Sequence, residues 1–409
     1  MADDGTRSAI PWASSALYVI LASSLIGVMG VSLISPVLPQ LRAVFGVSDA
    51  RIGLVITAYT LPGVVVTPFV GLVADRIGRR RVIVPLLVIF GVGGAGIAFV
   101  ERFAAVLALR LVQGLGASAL VTLAVTLIGD LYDGGRRNAV MGLNGSTIGV
   151  GAAAYPLIGG TLAGVRWELP FLFFGVALLV GLFALAALPE ADGESAGDVG
   201  TYLRGLRDAA VDAQSAAIFL AIFVAFFVFY GAIQTALPLL LSDAFGLSAG
   251  EIGLTLSAPA VASAAVSSQY GRIARVRSAP ELIALGFVAY GASLLGVWAA
   301  PTPALVAGAL LVLGVGFGLA MPSIDTTIVT LVPDRLRAGM MGLRTSVLRL
   351  GQTLGPVTFT FLAERAFRTP AAGYRALTLG FGALVLVAGV AGYLLLRRGP
   401  SAAVVPGLG

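Results

Sequence analysis

Cysteine, histidine and lysine are all absent from the 409 residues of this chain. Without cysteine there is no disulfide, no thiolate metal site and no cysteine nucleophile. Without histidine the commonest metal ligand and the usual general base are missing. A Ser-His-Asp hydrolase is excluded, and no metal site, cofactor or catalytic residue is expected. Charge is scarce as well: 11% of residues are charged, where a soluble domain carries about a quarter. Hydrophobic residues make up 58% of the chain and mean hydropathy is +0.99. Water is not the main solvent of such a sequence; a lipid bilayer is its first partner.

What is present is a series of apolar runs, each about twenty residues and long enough to cross a bilayer as a helix. They fall near 16–38, 52–74, 82–100, 103–128, 139–163 and 169–188, and then near 215–241, 251–274, 280–299, 303–331, 339–363 and 374–396. Twelve transmembrane helices are therefore predicted in an all-α membrane protein. The segment 189–214 is the one long polar insertion. Its acidic first half reads as a flexible linker, and Tyr202, Leu206 and Ala209 share a helical face suited to a short surface helix. The predicted organisation is a cytoplasmic tail at 1–15, a six-helix bundle at 16–188, the linker at 189–214, a second bundle at 215–396 and a tail at 397–409.

The formal charge is +6 and every basic residue is arginine. These arginines lie at the ends of the apolar runs, so they read as membrane topology and not as a nucleic-acid surface. With the N-terminus inside, sixteen arginines fall on inner segments and seven on outer ones, counting Arg375. That bias places both termini in the cytoplasm. The N-terminus lacks the basic start of a signal peptide, so the first run is expected to be a retained span.

The two sets of spans repeat. A shift of 200 residues brings Phe45-Gly46 onto Phe245-Gly246, Ile52-Gly53-Leu54 onto Ile252-Gly253-Leu254, and Met141-Gly142-Leu143 onto Met341-Gly342-Leu343. Gly114 and Gly116 meet Gly314 and Gly316, and Gly151 and Pro156 meet Gly351 and Pro356. Two pseudo-symmetric halves around a site near mid-membrane are a common build of secondary transporters.

Between the second and third runs stands GLVADRIGRRR, residues 71–81. Charges this dense cannot lie in hydrocarbon, where each central one costs about 2.5–3.5 kcal/mol. A short loop at the cytoplasmic face is expected. The spacing G-x-x-x-D-R-x-G-R-R resembles the signature loop of the major facilitator superfamily, a large family of secondary transporters. The resemblance extends over about residues 14–398 and implies that family's fold. It marks Gly71, Asp75, Arg76, Gly78, Arg79 and Arg80 as a latch, with Asp75 against the start of span 11 near Ala338–Met341, where free N–H groups attract anions. The other reading of Asp75 is a local salt bridge with Arg79 or Arg80.

Charges inside spans are candidates for function. Arg110 stands in R-x-x-Q-G-x-G, which resembles the family's span-4 motif, whose arginine is tied to proton coupling in many members; the alternative is an arginine snorkelling outward. Asp325 is the one carboxylate well inside a span, and Arg344 and Arg349 lie in the next. An Asp325–Arg344 pair is geometrically reasonable, either as a structural ion pair or as a proton site. Three buried arginines against one acid predict a positive cavity that favours an anionic substrate. Gln113, Tyr230 and Gln234 are the candidate cavity contacts, the last two one turn apart on one face. Span 5 ends G-x-x-x-Y-P-x-x-G-G. This resembles the antiporter pattern with Tyr155 in place of a glycine, and makes Gly151, Pro156, Gly159, Gly160, Gly351, Gly355 and Pro356 candidate packing residues.

The resemblance implies a transporter and not an enzyme: a monomer in the cell membrane, working by alternating access with a small-molecule substrate and protons as coupling ion. Efflux of small organic or amphipathic compounds, as in the drug/proton antiporter branch, is the expected activity. Uptake or facilitated passage of a metabolite, an anionic one included, is the alternative within the class. A channel or a membrane-embedded enzyme is the distant one, lacking here a pore-lining ring or a cluster of reactive groups.

Overall fold

The structure, a computed structural model, describes residues 10–189, 213–331 and 334–398. The surface helix expected within 189–214 and most of the two tails lie outside the described residues. Among the described residues every regular element is helical. The helices form twelve successive segments. They are α1 (Ser15–Phe45), α2 (Asp49–Ile77), α3 (Arg79–Phe99), α4 (Phe103–Leu131), α5 (Gly134–Val165) and α6 (Leu169–Ala187). Then come α7 (Gln214–Phe245), α8 (Ala249–Ile273), α9 (Ala279–Ala299), α10 (Pro303–Thr330), α11 (Asp334–Ala366) and α12 (Pro370–Arg398). A helix satisfies its own backbone groups, which is what a lipid solvent demands of an all-helical membrane protein.

Eleven of the described helices are long and apolar enough to span a bilayer. The exception is α11, whose 33 residues have the length but carry Arg337, Arg344, Arg349 and Arg365. Val65, Leu179, Leu182, Leu220 and Val387 are each more than 60% exposed. Apolar side chains on the outside of helices are unremarkable against acyl chains and anomalous against water.

By compactness the chain forms two units: Met1–Ser257 with Val332–Tyr374, and Ala258–Leu331 with Arg375–Gly409. The first contains α1 to α7 and α11 with the starts of α8 and α12; the second contains the rest of α8, α9, α10 and most of α12. The grouping of spans six and six follows a different criterion, the internal repeat.

That repeat is present in the contacts of the glycines. In the first unit a Cβ on Gly114 would strike the carbonyl oxygen of Tyr59, and one on Gly116 would strike Leu86 O and Phe90 N. In the second unit a Cβ on Gly314 would strike Pro259 O, and one on Gly316 would strike Gly286 O and Tyr290 N. Every partner is displaced by the same 200 residues as the glycine it touches. Two helix ends match as well: α1 and α7 stop at Gly46 (φ 59°) and Gly246 (φ 66°), left-handed positions that suit glycine.

The expected packing motif on α5 and α11 behaves the same way. Gly151 lies against Leu25 and Val28 of α1, and Gly159 against the Leu33 carbonyl. On α11, Gly351 and Gly355 lie against the backbone of α7 at Phe223, Phe227 and Gly231. Gly160 meets Ala249 and Gly250 of α8. Pro156 and Pro356 both sit inside uninterrupted helices. Small residues here permit backbone-to-backbone approach, the main source of attraction between helices in lipid.

Gly160→Ala and Gly355→Ala should each lose about 1–3 kcal/mol, the usual cost of overpacking, seen as a lower midpoint in thermal unfolding of the detergent-solubilised protein. Gly142→Ala, where nothing lies within 4 Å of the new Cβ, should be neutral or slightly stabilising.

Candidate functional site

The arginine-rich stretch is not the short loop its charge density predicts. Helix α2 continues to Ile77 and α3 begins at Arg79, leaving Gly78 alone (φ 96°) to turn the chain. Only glycine adopts that φ at little cost, so one residue suffices where a loop was expected. Gly71 thus lies inside α2, Asp75 and Arg76 in its last turn, and Arg79 and Arg80 in the first turn of α3. Arg79 is ion-paired with Asp75 and bonds Asp130 Oδ2 on α4 through Nε at 3.0 Å. Arg80 donates to Leu188 O at 3.3 Å. The local bridge of Asp75 is therefore formed, and it ties the ends of α2, α3, α4 and α6 together.

Helix α2 is 29 residues long, about 43 Å at 1.5 Å per residue, so its two ends lie at opposite faces of a bilayer. Along the half nearer Asp49 it pairs with α11. Ala50 N donates to Glu364 Oε2 at 2.7 Å, Gly53 abuts Thr360, and Thr57 Oγ1 donates to Thr353 O at 3.0 Å. Thr353 Oγ1 bonds Thr60 Oγ1 at 3.0 Å, and Gly63 faces Arg349. Numbers rise on one helix as they fall on the other, so the seam is antiparallel. Gly160 on Ala249–Gly250 and Gly253 on Pro156–Leu157 form the corresponding seam between α5 and α8.

A charged cluster closes this end. Arg42 bonds Asp49 at 2.6 Å and both carboxylate oxygens of Asp243 at 2.5 and 2.9 Å. Buried Tyr374 donates to Asp49 Oδ2 at 2.7 Å. Asp49 and Glu364 also place negative charge at the N-terminus of α2, where free N–H groups favour it. The cluster joins α1, α2, α7, α11 and α12. By sequence alone Arg42 is one of the seven outer arginines, with no partner assigned. The repeat was the available signal: Arg42 and Asp243 stand at equivalent helix ends, just before Phe45-Gly46 and Phe245-Gly246.

At mid-depth, Arg110 is completely buried and turned inward, which removes the snorkelling alternative. Its Nε donates to Val55 O at 3.1 Å, Nη1 to Gln113 Oε1 at 2.7 Å and Nη2 to Gly30 O at 2.9 Å. Its Cζ lies 4.6 Å from the centre of the Tyr59 ring. Gly30 admits that ring, since any Cβ there would overlap the phenol. Arg110 thus links α1, α2 and α4 with carbonyls, one amide and a π face. No carboxylate answers it among the described residues. Gln113 is the neutral partner of this arginine and is itself fully buried.

Arg349 on α11 is only partly buried. Its Nη1 donates to Gln352 Oε1 at 3.1 Å, while its Nε and the Tyr59 hydroxyl have no hydrogen-bond partner among the described residues. The Tyr230 hydroxyl lies beside Gln352, and the charge of Arg349 acts on both Tyr59 and Tyr230. Tyr230 belongs to a stretch of π-helix, Phe229–Ala236, in the middle of α7. There Thr235 Oγ1 donates to Tyr230 O at 2.8 Å, five residues back. Pro238 has no N–H to give the Gln234 carbonyl; Ser35 Oγ of α1 gives one instead, at 2.6 Å. Wide turns of this kind are common at functional sites, and period 3.6 did not predict it. Gln234 is buried, 6% exposed. Asp325 lies on α10 in the second unit and Arg344 on α11 in the first, each partly buried.

Comparisons with known proteins agree with this architecture. The sequence pattern of the Major Facilitator Superfamily matches residues 20–235 and 218–408. The bacillibactin exporter of Bacillus subtilis (strain 168) is 26% identical over 358 residues, 84% of this chain and 88% of that protein. The class C tetracycline resistance protein of Escherichia coli is 27% identical over 411 residues, 94% and 97% of the two chains. Among solved structures, a bacterial homologue of the human lysosomal transporter Spinster superposes with TM-score 0.75 at 18% identity. The match covers 97% of this chain and 100% of that one. With twelve helices, a contact-level internal repeat and a family match across nearly its whole length, this chain belongs to the major facilitator superfamily: it is a multi-pass membrane transporter for a small molecule, and not an enzyme.

Proposed function

We propose that this transporter is a proton-coupled exporter of small organic or amphipathic compounds, working as an antiporter by alternating access. The observation that carries the mechanism is the one-sided closure. The Asp49 end is sealed by the α2–α11 and α5–α8 seams and by the Arg42–Asp243 cluster, and a polar centre lies behind the seal. The positive-inside arginine count assigns that sealed end to the outside and both termini to the cytoplasm of the cell membrane. The arrangement then corresponds to a state closed to the outside. The exporter direction takes its support from the relatives named for export and for drug resistance.

In this reading the six-plus-six halves rock about the centre, within a monomer. Asp75 exchanges its local partner Arg79 for the start of α11 when the inner side closes, and Arg76, Gly78 and Arg80 shape that corner. Arg110, with Gln113, stabilises the packing behind the site. Asp325 carries the coupling proton. Tyr230 and Gln234 lie on the α7 turn that follows the substrate.

Two outcomes follow, both read in proteoliposomes with an internal pH dye. Asp75→Asn should lower transport about tenfold, a coupling free energy of ordinary allosteric size, while folded yield stays normal; unchanged flux rules out the latch. Asp325→Asn should leave counterflow of the exported compound intact but abolish its dependence on the pH gradient, because an amide does not take up and release a proton in the working pH range. Retained proton movement in that variant places coupling elsewhere.

A further inference from the structure

Arg349 presents five N–H donors, and among the described residues one neutral acceptor, Gln352, meets them. Arg110, whose guanidinium lies over the Tyr59 ring, is answered entirely by neutral groups. Two guanidinium charges thus act on one tyrosine, and among the described residues no carboxylate is paired to either. They differ in what they leave open. Arg110 is fully buried and has an acceptor for each of its three nitrogens. Arg349 is partly buried, and its Nε has none. An uncompensated charge away from water is costly until an opposite charge arrives, and a guanidinium fork matches a carboxylate in two parallel hydrogen bonds.

The surroundings are apolar and aromatic. On α7, Phe226 lies with its ring centre 6.3 Å from that of Tyr230, and Phe223 stacks on Phe227 at 5.6 Å. Tyr230 also lies beside Gln352, the residue that accepts from Arg349 Nη1.

We propose that Arg349, positioned by Gln352 and Tyr230 and set beside Tyr59, is the binding site for an anionic group of the transported compound. The occupant is an amphipathic carboxylate with an aromatic body: the guanidinium takes the carboxylate and the aromatic side chains of α7 take the ring. Arg110, over the Tyr59 ring, supplies a second positive field without touching the compound. This deepens the exporter reading by naming its substrate class, but it stands on binding alone and needs no particular direction or coupling.

The test is equilibrium binding to the full-length protein in detergent, with no gradient, using 2-naphthoate and its neutral amide, 2-naphthamide. Wild type should bind naphthoate more tightly than naphthamide. Arg349→Gln should weaken naphthoate by about tenfold or more, the size of a charge-assisted hydrogen bond, and leave naphthamide unchanged. Equal affinities for the two compounds in wild type, undiminished naphthoate binding in Arg349→Gln, or no naphthoate binding at all overturns the assignment. If Arg349→Gln does not fold, Arg349→Lys decides. A point charge without the fork should weaken naphthoate several-fold, and wild-type affinity in that variant counts against the site. Failure of the exporter reading would appear as absent proton-linked flux in liposomes and would leave these binding results as they are.

Discussion

Charge buried out of reach of water has to be answered by whatever acceptors the helices bring, and the structure is organised around how that is done for Arg110. Its three nitrogens reach two backbone carbonyls and one glutamine, and its face rests on Tyr59. Each partner fixes a helix: Gly30 on α1, Val55 and Tyr59 on α2, Gln113 on α4. The glycines follow from the same requirement. Gly30 leaves room for the phenol of Tyr59, and Gly114 lets α4 lie against the Tyr59 carbonyl. A longer side chain at either position would separate the helices that supply the acceptors, leaving a charge in hydrocarbon with none.

From this rigid centre the contacts along α2 change character. Towards Asp49 it is bound to α11 through threonines, a glycine and the Glu364 cap. Towards Ile77 its polar contacts turn back to the corner, where Arg79 holds Asp75 and Asp130. One helix therefore belongs to a closed seam at one end and to a local ion-pair cluster at the other. The seam is made mainly of small and hydroxylated side chains, held by hydrogen bonds of ordinary strength, about 0.5–1.5 kcal/mol net each. Contacts of that size permit both closure and release.

Much of this was legible in the sequence. Hydropathy places all twelve helices within several residues, because hydrocarbon thickness fixes their length. The 200-residue offset anticipates contacts that the structure shows atom against atom, because glycine at a crossing leaves a trace whatever surrounds it. Three features were hidden, each for a physical reason. The loop at 71–81 shrinks to Gly78 because charged side chains at helix ends reach water without any loop. The π-helical turn at 229–236 is set by Pro238 and Ser35 on another helix, a partner that local periodicity does not see. The Arg42–Asp49–Asp243–Tyr374 cluster assembles residues from four spans, and only the repeat hinted that the helix ends carrying Arg42 and Asp243 correspond.

Alternating access about the centre is the claim on which the rest turns, and the absence of cysteine makes it directly measurable. Cysteines introduced at Val44 and Phe367, both exposed near the Asp49 end, and separately at Leu131 and Arg337, exposed near the other, can carry paired spin labels with no background. Distances are then measured by pulsed electron resonance at two pH values, with and without 2-naphthoate. The account predicts opposite movement: as the Val44–Phe367 distance lengthens, the Leu131–Arg337 distance shortens. Two distances that lengthen together, or that stay fixed under conditions in which the protein transports, would contradict it.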